Sequence, residues 1–375
     1  MFFSDIIGQE KLKQKLVSSV KAGRIPHAQL FFGPEGSGTL PLAIAYAQFL
    51  ACTGQKEKDS CGSCPSCIKF SKLVHPDLHF SYPVNTTRKI VKDPVSDDFI
   101  GEWRELVMQN SYFRASGWYN HIGIENKQGL INKKEGDAIV RKLSLKSYES
   151  EYKFMIIWLP EKMHTSAANM LLKLIEEPPE NTIFLLVSED PDQLLLTISS
   201  RAQAIKLEAI PDEVLKERVM SKNGLTASQA ADIVRLSNGN YIRTLEIIET
   251  SAENELNFES FTSIMRLCWK RDYFGVNDWV EDMSQLGRER LKSFFEYSMR
   301  MVRENLMTNL KKPELVYLTD KEGGFSKNFH RFINGNNVVQ LYEELNKASV
   351  DIERNGYSRI VLFDLALHII KLIRK

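Results

Sequence analysis

The sequence predicts an α/β domain built on a parallel sheet, followed by an all-α region. Three observations carry this. Apolar strand-like runs alternate with helical patterns over residues 1–208, as in parallel α/β sheets. Two of those runs, KFMIIWL at 153–159 and NTIFLLVS at 181–188, are continuous and apolar, as strands covered on both faces are. From about residue 253 onward only amphipathic helical patterns remain.

Taken in order, strands are expected at about 28–33, 78–84, 153–159, 182–188 and 203–208. Between the third and fourth, Met170, Leu171, Leu174 and Ile175 recur at helical spacing and Pro178-Pro179 stop the helix. Strand, helix and strand in that order form a right-handed crossover. The stretch 85–150 is less regular and holds Trp103, Tyr112, Phe113, Trp118 and Tyr119 among polar residues. It reads as an insertion with a small cluster of its own, its aromatics used for packing more than for a partner surface, with a helix near 133–146. Short helices follow over 211–250, the first opened by Pro211 and the second closed at Gly239. Long amphipathic stretches lie around 255–270, 287–310 and 356–374. The expected organisation is an α/β domain over 1–208, a small helical domain over 209–252 and a larger helical domain over 253–375.

With 375 residues the chain has room for two or three domains. A net charge of +1 gives no global basic signature, so any DNA contact would come from a local patch or a composite surface. No apolar run approaches the ~20 residues of a membrane span, and MFFSDIIGQEKLKQ lacks the charged and apolar regions of a signal peptide. No membrane partner and a cytoplasmic location are therefore expected.

Four of the five cysteines, Cys52, Cys61, Cys64 and Cys67, fall within sixteen residues. In a reducing compartment such a cluster suits a metal better than a disulfide framework. Two overlapping C-x2-C pairs plus one Cys supply four thiolates, the ligand set of a closed structural Zn²⁺ site with no open position. Gly62 and Pro65 help the chain turn tightly enough. An iron–sulfur cluster is the less favoured alternative on ligands alone, and four unrelated cysteines or a redox pair less favoured again. His75 and His79 are read as non-ligands.

After the first strand comes Gly33-Pro34-Glu35-Gly36-Ser37-Gly38 and then a helix. That is the layout of a phosphate-binding loop, in which backbone N–H groups wrap phosphate at a helix N-terminus. A working loop continues with Lys and Ser/Thr; here the next residues are Thr39 and Leu40. Thr39 brings no charge to a polyphosphate and Leu40 no oxygen to Mg²⁺. A nucleotide hydrolase of this layout also needs acidic residues at the end of the third strand, where this chain has Trp158 and Leu159. Glu161 falls two positions too late. Gly33, Gly36, Gly38 and Thr39 thus form a degenerate loop, expected to bind no ATP and to give no intrinsic ATPase activity.

These features, with the segments FSDIIGQEKLKQKL, RIPHAQLFFGPEGSG, HPDLHF, AANMLLKLIEEPPENTIFLLVSEDPDQLLLTISSRAQ and GNYIRTL, resemble the AAA+ clamp-loader subunits of bacterial DNA polymerase III. Within that family the loss of both motifs is similar to the delta-prime type. The resemblance covers roughly residues 1–250. It implies that 209–252 is a lid domain and 253–375 an oligomerising collar. It also implies a passive stator: Arg201, supported by Ser200, matches an arginine finger given in trans to a neighbouring ATPase. Such fingers contribute on the order of 10³–10⁵ in rate. Ala202 departs from the family's Ser-Arg-Cys pattern. Arg243 stands where a second nucleotide-sensing arginine would lie, although a packing or salt-bridge role suits it equally. The implied partners are gamma/tau-like ATPase subunits and a delta-like subunit, with the sliding clamp and primed DNA reached through the complex. Two other readings stay open: an ATP-hydrolysing motor subunit with an atypical pocket, and a zinc-dependent nucleic-acid-binding module, which the absent basic excess disfavours.

Overall fold

The computed structural model describes residues 1–124, 127–312 and 315–374. Five parallel strands form one sheet in the order β2-β3-β4-β1-β5. In chain order the first part of the molecule runs α1 (Glu10–Lys21), β1 (Ala28–Phe32), α2 (Thr39–Ala51), α3 (Pro65–Ser71), β2 (Leu78–Ser81), α4 (Ile100–Gln109), α5 (Ala115–His121) and α6 (Lys133–Ser144). It continues β3 (Lys153–Trp158), α7 (Thr165–Glu176), β4 (Thr182–Ser188), α8 (Leu196–Ser199), β5 (Gln203–Lys206), α9 (Asp212–Asn223) and α10 (Ala227–Ser237). The central strands β3 and β4 are buried along their whole length, which is why their sequences read as unbroken apolar runs rather than alternations. Helix α2 is buried from Leu40 to Ala51 and correspondingly apolar on all sides.

β2 is shorter than the expected 78–84, and the reason is local. The Tyr82 N–H is taken by the Ser96 hydroxyl at 2.9 Å, and Pro83 has no N–H to give. Val84 then pairs with Leu130 in an antiparallel bridge. β5 likewise ends at Lys206, where the last bond to β1 runs from the Leu207 N–H to the Phe32 carbonyl at 2.7 Å.

The aromatics of 85–150 do not form a cluster of their own. Trp103 and Trp118 are fully buried in the same core as α2 and one face of the sheet. Trp103 stacks on Tyr82 with centroids 4.1 Å apart and lies 5.3 Å from Trp158 of β3. The polar residues between these rings hide the continuity in sequence.

Helix α11 is continuous from Tyr241 to Lys270, where two separate helices were expected. The chain divides into two compact units, Met1–Ile247 and Ile248–Lys375. The second contains α12 (Tyr273–Ser284), α13 (Arg288–Asn309), α14 (Asp320–Phe329), α15 (Val338–Glu353) and α16 (Ser358–Leu372). These helices enclose a core that includes Phe261, Phe294, Phe295, Leu341 and Leu362. Among the described residues no helix is long and apolar enough to cross a membrane.

Candidate functional site

The phosphate loop occupies the expected place, between the end of β1 and the start of α2. Gly36 and Gly38 have φ of +75° and +95°, a region that favours glycine. What surrounds the glycines is protein. A Cβ at Gly33 would lie 2.8 Å from the Leu207 carbonyl oxygen, at Gly36 2.1 Å from Asn240 Oδ1, and at Gly38 2.8 Å from the Tyr112 hydroxyl. The space left over the loop is about 30 Å³, room for roughly one water, whereas small-molecule sites run to ≈ 300–1,000 Å³.

Three aromatic rings account for the loss of space. Tyr112 and Phe113 line the cavity from the 85–150 stretch and Trp158 from β3. The Tyr112 hydroxyl accepts the Ile7 N–H at 3.1 Å, and its ring meets Tyr241 edge-on at 5.0 Å. Burial pushes this hydroxyl's pKa up to about 12, so it stays neutral. Phe113 packs edge-on against Trp158 at 5.2 Å. Leu40 is buried. Leu159 takes a left-handed backbone, φ +56°, and its N–H bonds the Val187 carbonyl at 2.8 Å.

The charge around the loop is also wrong for phosphate. Glu35, inside the loop, is held by a two-pronged bond from Arg114 at 2.8 Å on each prong and by the Asn240 amide at 2.7 Å. The Arg114 guanidinium keeps this carboxyl below its usual range. Arg114 is itself shared with Glu246. Glu189 also lines the cavity; crowding by protein, then the nearby Glu161 and Glu35 charges, push its pKa up to about 7. Glu161 is committed locally, accepting the Ser188 hydroxyl at 2.9 Å and the Glu189 N–H at 3.1 Å. Arg243 is exposed on α11, where its N–H bonds Asn240 Oδ1 at 3.1 Å, and the cavity is lined by its neighbour Ile242 instead. Sequence reasoning missed Arg114 because nothing local distinguishes it. Glu35 was visible in the loop as a carboxylate where phosphate would sit.

Arg201 lies at the other end of the sheet. β1 and β5 run parallel with Gln29 beside Gln203 and Phe32 beside Lys206. Arg201 precedes β5 and the loop follows β1, so the two flank opposite edges, separated by about 13 Å of strand or more. Arg201 is 41% exposed, pairs with Glu176 at the end of α7 at 2.8 Å, and donates to the Thr197 carbonyl at 2.9 Å. Ser200 caps α8 and donates to the same carbonyl at 3.4 Å.

The four cysteines converge. Their sulfurs all lie within 4.8 Å of one another, with Cys61–Cys67 at 3.9 Å and Cys52–Cys64 at 4.0 Å. A tetrahedron with Zn–S bonds of ≈ 2.3 Å has sulfurs about 3.8 Å apart, so the set fits a four-thiolate metal ion. Cys52 ends α2 and Cys64 and Cys67 begin α3, with Pro65 in the first turn and Gly62 at φ +80°. The N–H groups of Cys61, Cys64 and Cys67 point at the sulfurs of Cys52, Cys61 and Cys64 at 3.2, 3.3 and 3.4 Å, which favours thiolates. His75 packs on Phe70 at 4.8 Å, and neither His75 nor His79 joins the sulfur group.

With this geometry in hand, the match to known proteins is informative. A family model described as "DNA polymerase III, delta subunit" matches residues 8–211, more than half of the chain. The chain belongs to this family. Among its relatives, the DNA polymerase III subunit delta' of Bacillus subtilis is 26% identical over 259 residues, covering 69% of this chain and 64% of the relative. The delta' of Haemophilus influenzae is 28% identical over 265 residues, covering 68% of each. The gamma/tau subunit of Mycobacterium tuberculosis H37Rv is 26% identical over 252 residues, covering 66% of this chain. The match spans only about a third of that relative, 36%. Membership of this family places the chain among relatives of DNA polymerase III subunits. Identity alone does not separate delta' from gamma/tau, since both kinds of relative match about equally well.

Proposed function

We propose that this member of the family is a non-catalytic, delta-prime-like stator of the clamp loader. It would hold the assembly's shape and give Arg201 in trans to an ATPase neighbour, so that the sliding clamp is loaded on primed DNA. The observation that carries this reading is the filled phosphate loop: about 30 Å³ of space, with aromatic rings in it and carboxylates around it. Without a cation for the triphosphate or an acidic pair for Mg²⁺, such a site has nothing with which to stabilise a transferring phosphoryl group. The position of Arg201 adds support. An arginine on the edge of the sheet opposite its own loop can meet only a phosphate held by another molecule.

In this reading Cys52, Cys61, Cys64 and Cys67 hold a structural Zn²⁺. The ion would supply no chemistry beyond cross-linking the end of α2 to α3. Residues 209–252 act as the lid and 253–375 as the collar, with gamma/tau-like and delta-like subunits as partners and a cytoplasmic location. The test is ATP hydrolysis by a reconstituted loader carrying Arg201→Ala. Loss of turnover with intact assembly is expected, and unchanged turnover would refute the finger role.

A further inference from the structure

The second unit carries a groove of about 610 Å³ between α11 and α14. Its walls are aromatic: Phe258 and Trp269 come from α11, Phe325 from α14 and Phe332 from the turn after it. Trp269 is 43% exposed, a large apolar surface to leave in water.

The rim is cationic. Arg266, Lys270, Lys321 and Arg331 line the groove, and no Asp or Glu does among the described residues. Lys321 is neutralised by Glu255. Arg266 and Arg331 are paired with no carboxylate among the described residues. They lie over ring faces instead, Arg266 at 5.9 Å from the Phe325 centroid and Arg331 at 5.1 Å from Phe332. Arg374 covers Trp269 at 5.6 Å in the same way. We infer that this groove docks an acidic segment of a partner protein, with apolar side chains entering between α11 and α14 and carboxylates meeting the guanidinium edges.

The arrangement selects among occupants. Single-stranded nucleic acid would also be drawn to aromatic and basic groups, but it binds by stacking bases on open ring faces. Here guanidinium groups already cover a face of Phe325, Phe332 and Trp269; Arg374 is also bonded to the Trp269 carbonyl, while Arg266 and Arg331 keep N–H edges for two-pronged carboxylate bonds. A second copy of the chain docking symmetrically would set Arg266 and Arg331 among their own copies, which repel. An amphipathic helix with anionic flanks satisfies both the apolar floor and the charged rim.

The test uses the full chain and fluorescein-labelled peptides of about fifteen residues, with Phe, Leu or Ile at helical spacing between Asp and Glu. Controls are the same peptides with Asn and Gln for the acids, and a labelled oligothymidylate of similar length. At least one acidic peptide is expected to bind with a Kd on the order of 10 μM. The amide versions should bind at least ~10-fold more weakly, as should the Arg266→Glu/Arg331→Glu variant, whose substituted residues are exposed and whose melting temperature should not move. Affinity should fall as salt rises. Equal binding of acidic and amide peptides, tighter binding of the oligonucleotide, or no saturable binding at ~1 mM peptide would each overturn the inference. So would sedimentation showing that the wild-type chain dimerises through this face and the variant does not.

Discussion

The two edges of the parallel sheet have opposite fates. At the C-terminal edge of β1 the phosphate loop keeps glycines at positive φ, and side chains from elsewhere in the chain fill the space over it. Tyr112 sits against Gly38, Arg114 neutralises Glu35, and Trp158 and Leu159 stand where carboxylates would be. At the N-terminal edge of β5, Arg201 stays exposed and is held by a surface ion pair to Glu176 and a bond to the Thr197 carbonyl. The base of the loop edge is packed, with Gly36, Ser37 and Gly38 buried, and Arg201 at the other edge is surface. The difference teaches that the two ends of neighbouring parallel strands can be packed independently, one filled by long-range contacts and the other left open to solvent.

Substitutions at the two edges should therefore behave differently. The largest expected effect is Arg201→Ala, which should lower turnover at the site it serves by on the order of 10³ in a reconstituted loader. Thr39→Ala in the same assay should leave turnover unchanged. Equal losses from both would erase the contrast between the edges.

Next in size is the cysteine cluster, which joins the end of α2 to the start of α3. Metal analysis of the wild-type chain should give one zinc per chain. Cys61→Ser should release it and destabilise the first unit by about 4 kcal/mol, a melting shift of roughly 10 °C. A metal-free wild-type protein with the same melting temperature would remove the module from the account.

A smaller effect is expected at Glu176, which competes for the guanidinium of Arg201. Glu176→Gln should raise loader turnover, by no more than about 5-fold, the most that an exposed ion pair of ~1 kcal/mol can hold back. A fall in turnover would mean that Glu176 positions Arg201 instead of restraining it.

The smallest concerns Glu189. Its pKa is raised to about 7 in the folded chain, above the ≈ 4.3 of an unperturbed glutamate. Ionising it therefore costs stability as pH rises through 7, and the cost is absent below about pH 4. The side chain lines the cavity but still reaches solvent, which screens part of the penalty. Glu189→Gln should leave melting unchanged at acid pH and raise it by about 1 °C above pH 8, read by calorimetry.

Much of this was legible in the sequence because the signals are local. Buried parallel strands read as apolar runs, and β4 lies at the 182–188 expected for it. The C-x2-C spacing brought four sulfurs together, and the glycine-rich loop lies where the sequence put it, between β1 and α2. What the sequence hid is long-range. Tyr112 lies more than a hundred residues from Ile7, whose N–H it accepts. Arg114 is 79 residues from Glu35. Aromatic residues scattered through 85–150 carry no periodicity to say that they enter the main core. The filling of the pocket is a property of the folded chain, set by contacts between segments whose individual sequences are unremarked.

The central claim is that the loop edge cannot hold a nucleotide. Titration calorimetry of Mg·ATP into the isolated wild-type chain tests it most directly. No saturable heat is expected up to ~1 mM nucleotide; binding in the micromolar range, abolished by substitution at Gly36 or Gly38, would contradict it.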